Sequence, residues 1–420
     1  MPLKSLFTLF LKIGLLSFGG PAAQISLMHR LLVQEKKHLN EQQFLNALGF
    51  CMLLPGPEAM QLATYAGWKM RGITGGLIAG LLFVIPGAIV MLALAILYMS
   101  YNDLAIVDTL FLGIQAAVLI IVFEALHKVS KRALITANHW MIACFAFIAI
   151  FFFSLPFPLV IISAALYGFY TSSNPAKNPK IQIISKTSWL RTLTVLLTGL
   201  LLWCAPIVLL DQLLDTPIIS SIALFFAKLA VVTFGGAYAV LVYMAQDVVS
   251  QYHWLSATQM IDGLGLAETT PGPLILVTEF VGFIAGFREG GLWLGIIAAG
   301  VTLWVTFVPC FIWIFVGAPY IEWIHTQHRL SNALANITAA VVGVILNLAV
   351  WFSLHVFFLS VEAVQYGPIT LHQPQMQSLN WHIVVLSLLC AFLLLRLQLN
   401  IVKVLCIAAA TAWLLSHVST

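Results

Sequence analysis

Charge is what this chain has least of. Only 8% of its 420 residues are Asp, Glu, Lys or Arg, where a soluble domain carries about a quarter. So little charge excludes a soluble enzyme or a nucleic-acid-binding module. Cysteine is sparse as well. Cys51, Cys144, Cys204, Cys310, Cys390 and Cys406 are scattered through apolar segments without a Cys-x-x-Cys pair, so neither a disulfide framework nor a metal site follows. His325 and His328 lie near a loop with no further ligands nearby in sequence. No Walker loop, GxSxG or HExxH motif is present, which argues against ATP hydrolysis and the common hydrolytic chemistries. No cofactor, metal or catalytic residue is expected, and the chain reads as a protein other than an enzyme. The start, MPLKSLFTLFLKIGLL, resembles a signal peptide. However, Lys12 interrupts its apolar run and no small-x-small cleavage site follows, so it reads as a retained first helix.

What is abundant is hydrocarbon. Hydrophobic residues make up 61% of the chain and mean hydropathy is +1.01. The apolar residues come in long Leu/Ile/Ala/Phe runs rather than ten-residue alternation, which means membrane helices and not a barrel. Apolar segments fall at 3–18, 44–68, 73–100, 106–126, 138–154, 156–172, 191–212, 216–234, 259–287, 291–318, 333–359, 380–395 and 399–417. The expected fold is an all-α polytopic membrane protein of about thirteen transmembrane helices.

The clearly polar stretch, SNPAKNPKIQIISKTSWL at 173–190, divides the chain near its middle. The expected organisation is a first repeat at 1–172, a linker with a linking helix at 173–215, and a second repeat at 216–420. The two halves are duplicates. Residues 10–57 laid on 226–273 without a gap match at fifteen of 48 positions, including Lys12/Lys228, Phe18-Gly19-Gly20 on Phe234-Gly235-Gly236, and Pro55-Gly56-Pro57 on Pro271-Gly272-Pro273. Duplicated halves with interrupted hydrophobic segments at corresponding places mark secondary transporters.

The interruptions carry chemistry. Proline and glycine break helices, and a break at membrane depth survives only inside protein or beside water. Pro57 suits the first position of a new helix, whose free N–H groups and dipole make an anion site. Phe18-Gly19-Gly20 breaks the first helix in the same way and Pro21 can begin another. Lys12 and Lys228, each six residues before an FGG, are candidate counter-charges, or else snorkel to an interface. Thr269 and Thr270 flank the second Pro-Gly-Pro. Glu58 and Glu268 are candidates for proton coupling, and here the duplication breaks. Leu274 stands at the position equivalent to Glu58, and Met52 at that equivalent to Glu268.

Orientation is not fixed by charge. If 44–68 and 259–287 each cross, thirteen crossings result and the second half is upside down. If both dip in and return, there are eleven crossings and parallel halves. Basic loop residues divide thirteen against four either way. Taken as one helix, 44–68 would rise about 37 Å, enough to span, so crossing is expected.

"SFGGPAAQISLM" with "LLPGPEAMQLATYAGW", then "TFGGAYAVLVYM" with "TTPGPLILVTEFVGF", resemble the paired domains of the chromate ion transporter family in its long, two-domain form. The resemblance covers nearly the whole chain. It implies export of chromate across the cytoplasmic membrane, chromate resistance, sulfate as a structural mimic, an ion gradient (protons or another coupling ion) as the driving force, and halves of opposite orientation. Membrane lipid and a second copy of the chain are further expected partners, with the N-terminus in the cytoplasm.

Overall fold

The computed structural model describes residues 1–101, 105–172, 189–214, 216–234, 237–321 and 327–418. The centre of the polar linker, Gly235, Gly236 and His325 lie outside them. The chain is helical and polytopic, as its composition requires. Among the described residues, five helices are long and apolar enough to cross a membrane, and several more apolar helices are shorter. Large side chains such as Leu201, Leu213 and Phe145 are exposed on their outer faces, the pattern of a protein whose solvent is lipid. The chain divides into two compact units that do not coincide with its two sequence halves.

The first unit comprises 1–95, 172–237 and 270–331. It opens with α1 (Leu3–Leu16) and α2 (Gly20–His29), the latter extended by a π turn at Arg30–Glu35. A cavity of about 950 Å³ is lined by Met1, Lys4 and Lys12 from α1's side and by Leu31, Lys36 and His38 from the other. Next come α3 (Glu41–Leu53) and α4 (Glu58–Tyr101). Asn40 caps α3 with a reciprocal capping box to Gln43, which satisfies two N–H groups the helix leaves open.

α4 is two helices. Arg71 and Gly72 leave helical geometry, Gly72 at φ +63°, and the chain doubles back. Thr64 then packs beside Gly76 and Gly80, and Gly67 beside Gly75 and Ala79. Glycine at these places lets the two backbones touch. Continuing this antiparallel register puts Glu58 opposite about residue 86, near the middle of the long arm.

The path of 44–68 differs from the expected crossing. Phe50 packs against Gly317, whereas Gly56 lies against Cys310; Gly76 meets Phe315 and Gly80 meets Phe311. The chain therefore moves inward along one scale from 50 to 56, and outward along the same scale from 58 to 67. The ends agree. Arg71 Nη1 donates to the Met1 carbonyl at 2.8 Å, and Met1 shares its cavity with Lys36 and His38. Residues before α3 and after the first arm of α4 thus meet at one end, which one crossing would forbid. Hydropathy cannot distinguish a crossing from a hairpin of the same length, because both bury apolar side chains.

The rest of this unit repeats the pattern. α8 (Trp189–Leu214) lies with an exposed face and donates Trp203 Nε1 to the Val305 carbonyl at 3.0 Å. α9 (Pro217–Val232) precedes the second FGG. α12 (Val277–Gly317) follows the second Pro-Gly-Pro and a 3₁₀ turn at Leu274–Leu276, and it too doubles back, at Gly290 and Gly291 (φ +74°). Gly282 packs beside Thr302, and Gly286 beside Ala298.

The second unit holds 96–171, 238–269 and 332–420. Its elements are α5 (Ala105–Ala133), α6 (Ala137–Phe151), α7 (Phe157–Thr171), α10 (Ala237–Ser250), α11 (Ala257–Thr269), α13 (His328–Phe357), α14 (Trp381–Ala391) and α15 (Ile401–Val418). α11 carries a box equivalent to that of α3, between Ser256 and Gln259. Buried Asp262 accepts from Tyr98 at 2.9 Å and Gln115 at 2.7 Å. An antiparallel hairpin, β1 (Val361–Tyr366) and β2 (Ile369–Pro374), turns at Gly367. The Thr370 N–H donates to the Phe152 carbonyl at 2.8 Å. The all-helical expectation had left this segment as a loop.

Candidate functional site

Both break types form in the first unit as the residues dictate. At the first FGG, α1 ends at Leu16, and Gly19 (φ +83°) and Gly20 (φ +77°) take the left-handed conformation that side chains resist. Pro21 sits in the first turn of α2, as expected. At the first Pro-Gly-Pro, Gly56 has φ +118° and all three residues are buried. The new helix starts one residue later than the sequence suggested. Pro57 lies just outside it and its carbonyl accepts from Gln61 N at 3.1 Å.

The four breaks are not independent. The Gly56 N–H donates to the Thr233 carbonyl at 2.8 Å, and the Gly272 N–H donates to the Ser17 carbonyl at 2.8 Å. Gly56 and Gly272 are equivalent positions of the duplication, and so are Ser17 and Thr233, all offset by 216 residues. Each Pro-Gly-Pro is therefore tied to the break of the other half. The two hydroxyls behave alike too. Ser17 Oγ donates to the Ile13 carbonyl at 2.6 Å and Thr233 Oγ1 to the Leu229 carbonyl at 2.5 Å, which satisfies both in a site where neither residue is exposed. Gln24 fastens one corner further, its Nε2 donating to the Gly272 carbonyl at 2.6 Å and to the Ser17 carbonyl at 3.4 Å. Gln61 Nε2 does the same for the Pro55 carbonyl at 2.7 Å.

The glycine N–H of each Pro-Gly-Pro is consumed by a protein carbonyl. Helix starts leave N–H groups without an intrahelical acceptor; at the second Pro-Gly-Pro that start is the 3₁₀ turn, since the Val277 N–H at the head of α12 is taken by the Leu274 and Ile275 carbonyls. The first turns of the two helices carry an acidic residue each, Glu58 in α4 and Glu279 in α12. The 3₁₀ turn at Leu274–Leu276 delays the second helix by three residues, which brings Val277, not a glutamate, to the position of Glu58.

Of the other sequence candidates, Phe18 is exposed, Phe234 half-buried and Thr270 buried. Pro271, Gly272 and Pro273 are buried, with Gly272 at φ +92°. Lys12 is exposed and lines the open cavity beside Lys4, Lys36 and His38. Lys228 is exposed on α9. Burial of the His38 ring, with Lys36 and the terminal amine near it, pulls its pKa below the usual histidine value. Glu268 and Thr269 belong to the second unit, where Glu268 is buried and Thr269 Oγ1 donates to the Leu266 carbonyl at 2.7 Å. Ser17, Thr233, Gln24 and Gln61 were missed. The first two had a signal, a hydroxyl residue at the same distance before each FGG, which a count of identities passes over.

The chain as a whole has relatives among known proteins. The family model described as "Chromate transporter" matches twice, over residues 4–169 and 220–413. The chain is 31% identical over 355 residues to the "Chromate transport protein" of Pseudomonas aeruginosa, covering 82% of this chain and 80% of the relative. It is 28% identical over 346 residues to the "Chromate transport protein" of Cupriavidus metallidurans, with the same coverage. An "Uncharacterized transporter" of Methanocaldococcus jannaschii is 28% identical over 364 residues, 86% of each chain. No solved structure matches. The two regions that the family model covers are the two halves whose breaks are tied crosswise, and the chain belongs to the chromate transporter family.

Proposed function

We propose that this multi-pass membrane protein exports chromate, or a related tetrahedral oxyanion, across the cytoplasmic membrane by secondary transport. The observation that carries the reading is the crossed pair of hydrogen bonds, Gly56 to Thr233 and Gly272 to Ser17. It brings two broken-helix starts into one unit of the fold, and helix starts attract anions. The proposed seat comprises Phe18, Gly19, Gly20 and Pro55-Gly56-Pro57 with Phe234, Gly235, Gly236, Thr270 and Pro271-Gly272-Pro273. Thr269 extends it along the chain. Lys12 gathers anions at the open cavity with Lys4 and Lys36, Lys228 supplies the matching charge of the second half, and Glu58 and Glu268 stay candidates for proton coupling.

The proposed topology is an inverted repeat, with domain limits near 1–172 and 216–420. Its support is that equivalent long arms run antiparallel, since Gly76 meets Phe315 and Gly80 meets Phe311. The first half opens with two hairpins that enter and return; carried to the second half by the duplication, the same path gives each half four crossings, and α8 adds one. Nine crossings replace the expected thirteen. Of the 19 Lys and Arg, setting aside Lys12 and Lys228, sixteen then fall on the N-terminal side and Arg288 alone on the other. That asymmetry makes the N-terminal side cytoplasmic, where the earlier schemes left a tie. Parallel halves would put 152 and 370 on opposite sides, against the Thr370–Phe152 bond.

Chromate and sulfate are dianions of one shape, and backbone N–H groups do not separate them. Expression in a chromate-sensitive host tests the reading. Accumulated chromate should fall and added sulfate should interfere. Unchanged accumulation with the protein verified in the membrane would refute it.

A further inference from the structure

Beyond the anion seat, the first unit holds a group of buried oxygens that have no hydrogen-bond donor. Glu279 is 1% exposed and its Oε2 lacks a partner. The register of α12's two arms, Gly282 beside Thr302 and Gly286 beside Ala298, sets Glu279 opposite about residues 305–306. Thr306 is there, 2% exposed, and its Oγ1 is likewise unpaired. One turn on, Cys310 Sγ donates to the Thr306 carbonyl at 3.5 Å and borders Gly56, 2.7 Å from where a Cβ would stand. Gln61 borders Gly56 from the other side. Its Nε2 is held by the Pro55 carbonyl, and its Oε1 is a third buried oxygen without a partner.

We propose that Glu279 binds the proton whose movement is coupled to the anion, a reading that rests on the transport function above. Glu279 Oε2 as a carboxylate and Gln61 Oε1 can only accept, so an oxyanion cannot satisfy them and a donor is needed; the Thr306 hydroxyl can serve as either. A buried carboxylate oxygen without a partner costs several kcal/mol as an ion, and a proton removes that cost. Among the described residues of the packed elements, no other charge is buried beside it. Lys228 on α9 and Arg191 and Asp211 on α8 are exposed, and Arg288 and Glu289 lie at the distant turn of α12. Cys204 on α8 is exposed, Cys310 is buried, and Tyr320 pairs with Thr192 at 2.8 Å. Glu58, half-buried, begins the other helix.

Direction follows from position. Glu279 occupies the first turn of α12, where its ionised form would repel the dianion that the helix start attracts. Proton and anion therefore assist each other's binding, reciprocally, and travel together. One proton carried with a dianion still leaves a net negative charge to move outward, which an inside-negative membrane favours.

The experiment is transport of labelled sulfate and chromate by purified protein in proteoliposomes with the membrane potential clamped. An outside-acid gradient should drive accumulation by the parent protein. Glu279→Gln, a fixed mimic of the protonated acid, should lose gradient-driven accumulation by about tenfold or more yet keep equilibrium exchange within about twofold. Glu279→Asp should retain part of the coupling. The parent protein should also show an infrared protonated-carboxyl band that disappears in Glu279→Gln. Gradient-driven accumulation intact in Glu279→Gln overturns the proposal, and so does accumulation driven by an inside-acid gradient. Loss of exchange by folded Glu279→Gln would place the residue in the anion seat instead, also overturning it. A parent protein that moves neither anion refutes the transport reading and this inference with it.

Discussion

Replacing Gly87 with alanine tests whether the second Pro-Gly-Pro is seated as described. Gly87 lies in the long arm of α4, and a Cβ there would fall well inside contact with the Pro271 carbonyl oxygen, 3.0 Å from its carbon and 2.6 Å from Leu276 Cδ1. The obstacle is backbone at a proline-locked turn, so it cannot swing aside as a side chain would. Forcing Pro271 away costs about 1–3 kcal/mol as overpacking. The same movement pulls on the Gly272 N–H to Ser17 bond and on Gln24's bond to the Gly272 carbonyl, and each buried group left unpaired costs about 1–3 kcal/mol more. Against this stands a gain of about 1 kcal/mol from removing glycine from a helix. With one of these two bonds lost, the balance is a loss of roughly 1–5 kcal/mol. Gly300 is the control. It lies in a helix of α12 with nothing within 4 Å of a Cβ, so alanine there should be neutral or stabilising. Thermal unfolding in detergent, with anion transport measured beside it, reads both. Gly87→Ala should melt lower and transport less than the parent, while Gly300→Ala should do neither. Equal melting temperatures and transport for the two variants would refute the proposed seating.

Gln24→Leu should destabilise by about 1–3 kcal/mol by leaving the Gly272 carbonyl unpaired, measured by the same unfolding; no change would separate Gln24 from the tie. Lys12→Met and Lys228→Met should each weaken anion transport about tenfold, on the order of 1.4 kcal/mol, with expression unchanged and Lys→Arg partly tolerated. Normal transport by both would reduce these lysines to snorkelling side chains. Cysteine labelling should find positions 36–38, 71 and 177–186 on the cytoplasmic side and 288–289 and 362–377 outside. Label at 36–38 from outside would restore a crossing through 44–68.

Much of this was legible in the chain, because duplication leaves identities that survive in the residues least able to change. Gly19, Gly56 and Gly272 hold positive φ, and that need is visible as glycine in both halves. The crossed pairing was not legible. It is made by backbone groups and by Ser17 and Thr233, which differ in identity while sharing a hydroxyl. The hairpins were hidden for another reason. A helix that enters and returns has the hydropathy of one that crosses, and the packing of 50–80 along Cys310–Gly317 with the meeting of Met1, Lys36 and Arg71 at one end tells them apart. Glu279 is visible in the sequence as a carboxylate inside an apolar segment, but its burial and its unpaired Oε2 are not. Glycine spacing in α4 and α12 carried the fold back signal, but at 67, 75 and 76 it reads equally well as ordinary close helix contact.

The claim on which everything else depends is that this chain moves an oxyanion. Uptake of labelled chromate and labelled sulfate into everted membrane vesicles, with and without an imposed proton gradient, tests it most directly. Everted vesicles containing the protein should take up chromate faster than vesicles lacking it, with uptake that responds to the gradient and is slowed by the competing anion. Equal uptake by both vesicle preparations, with the protein verified in the membrane, would contradict it.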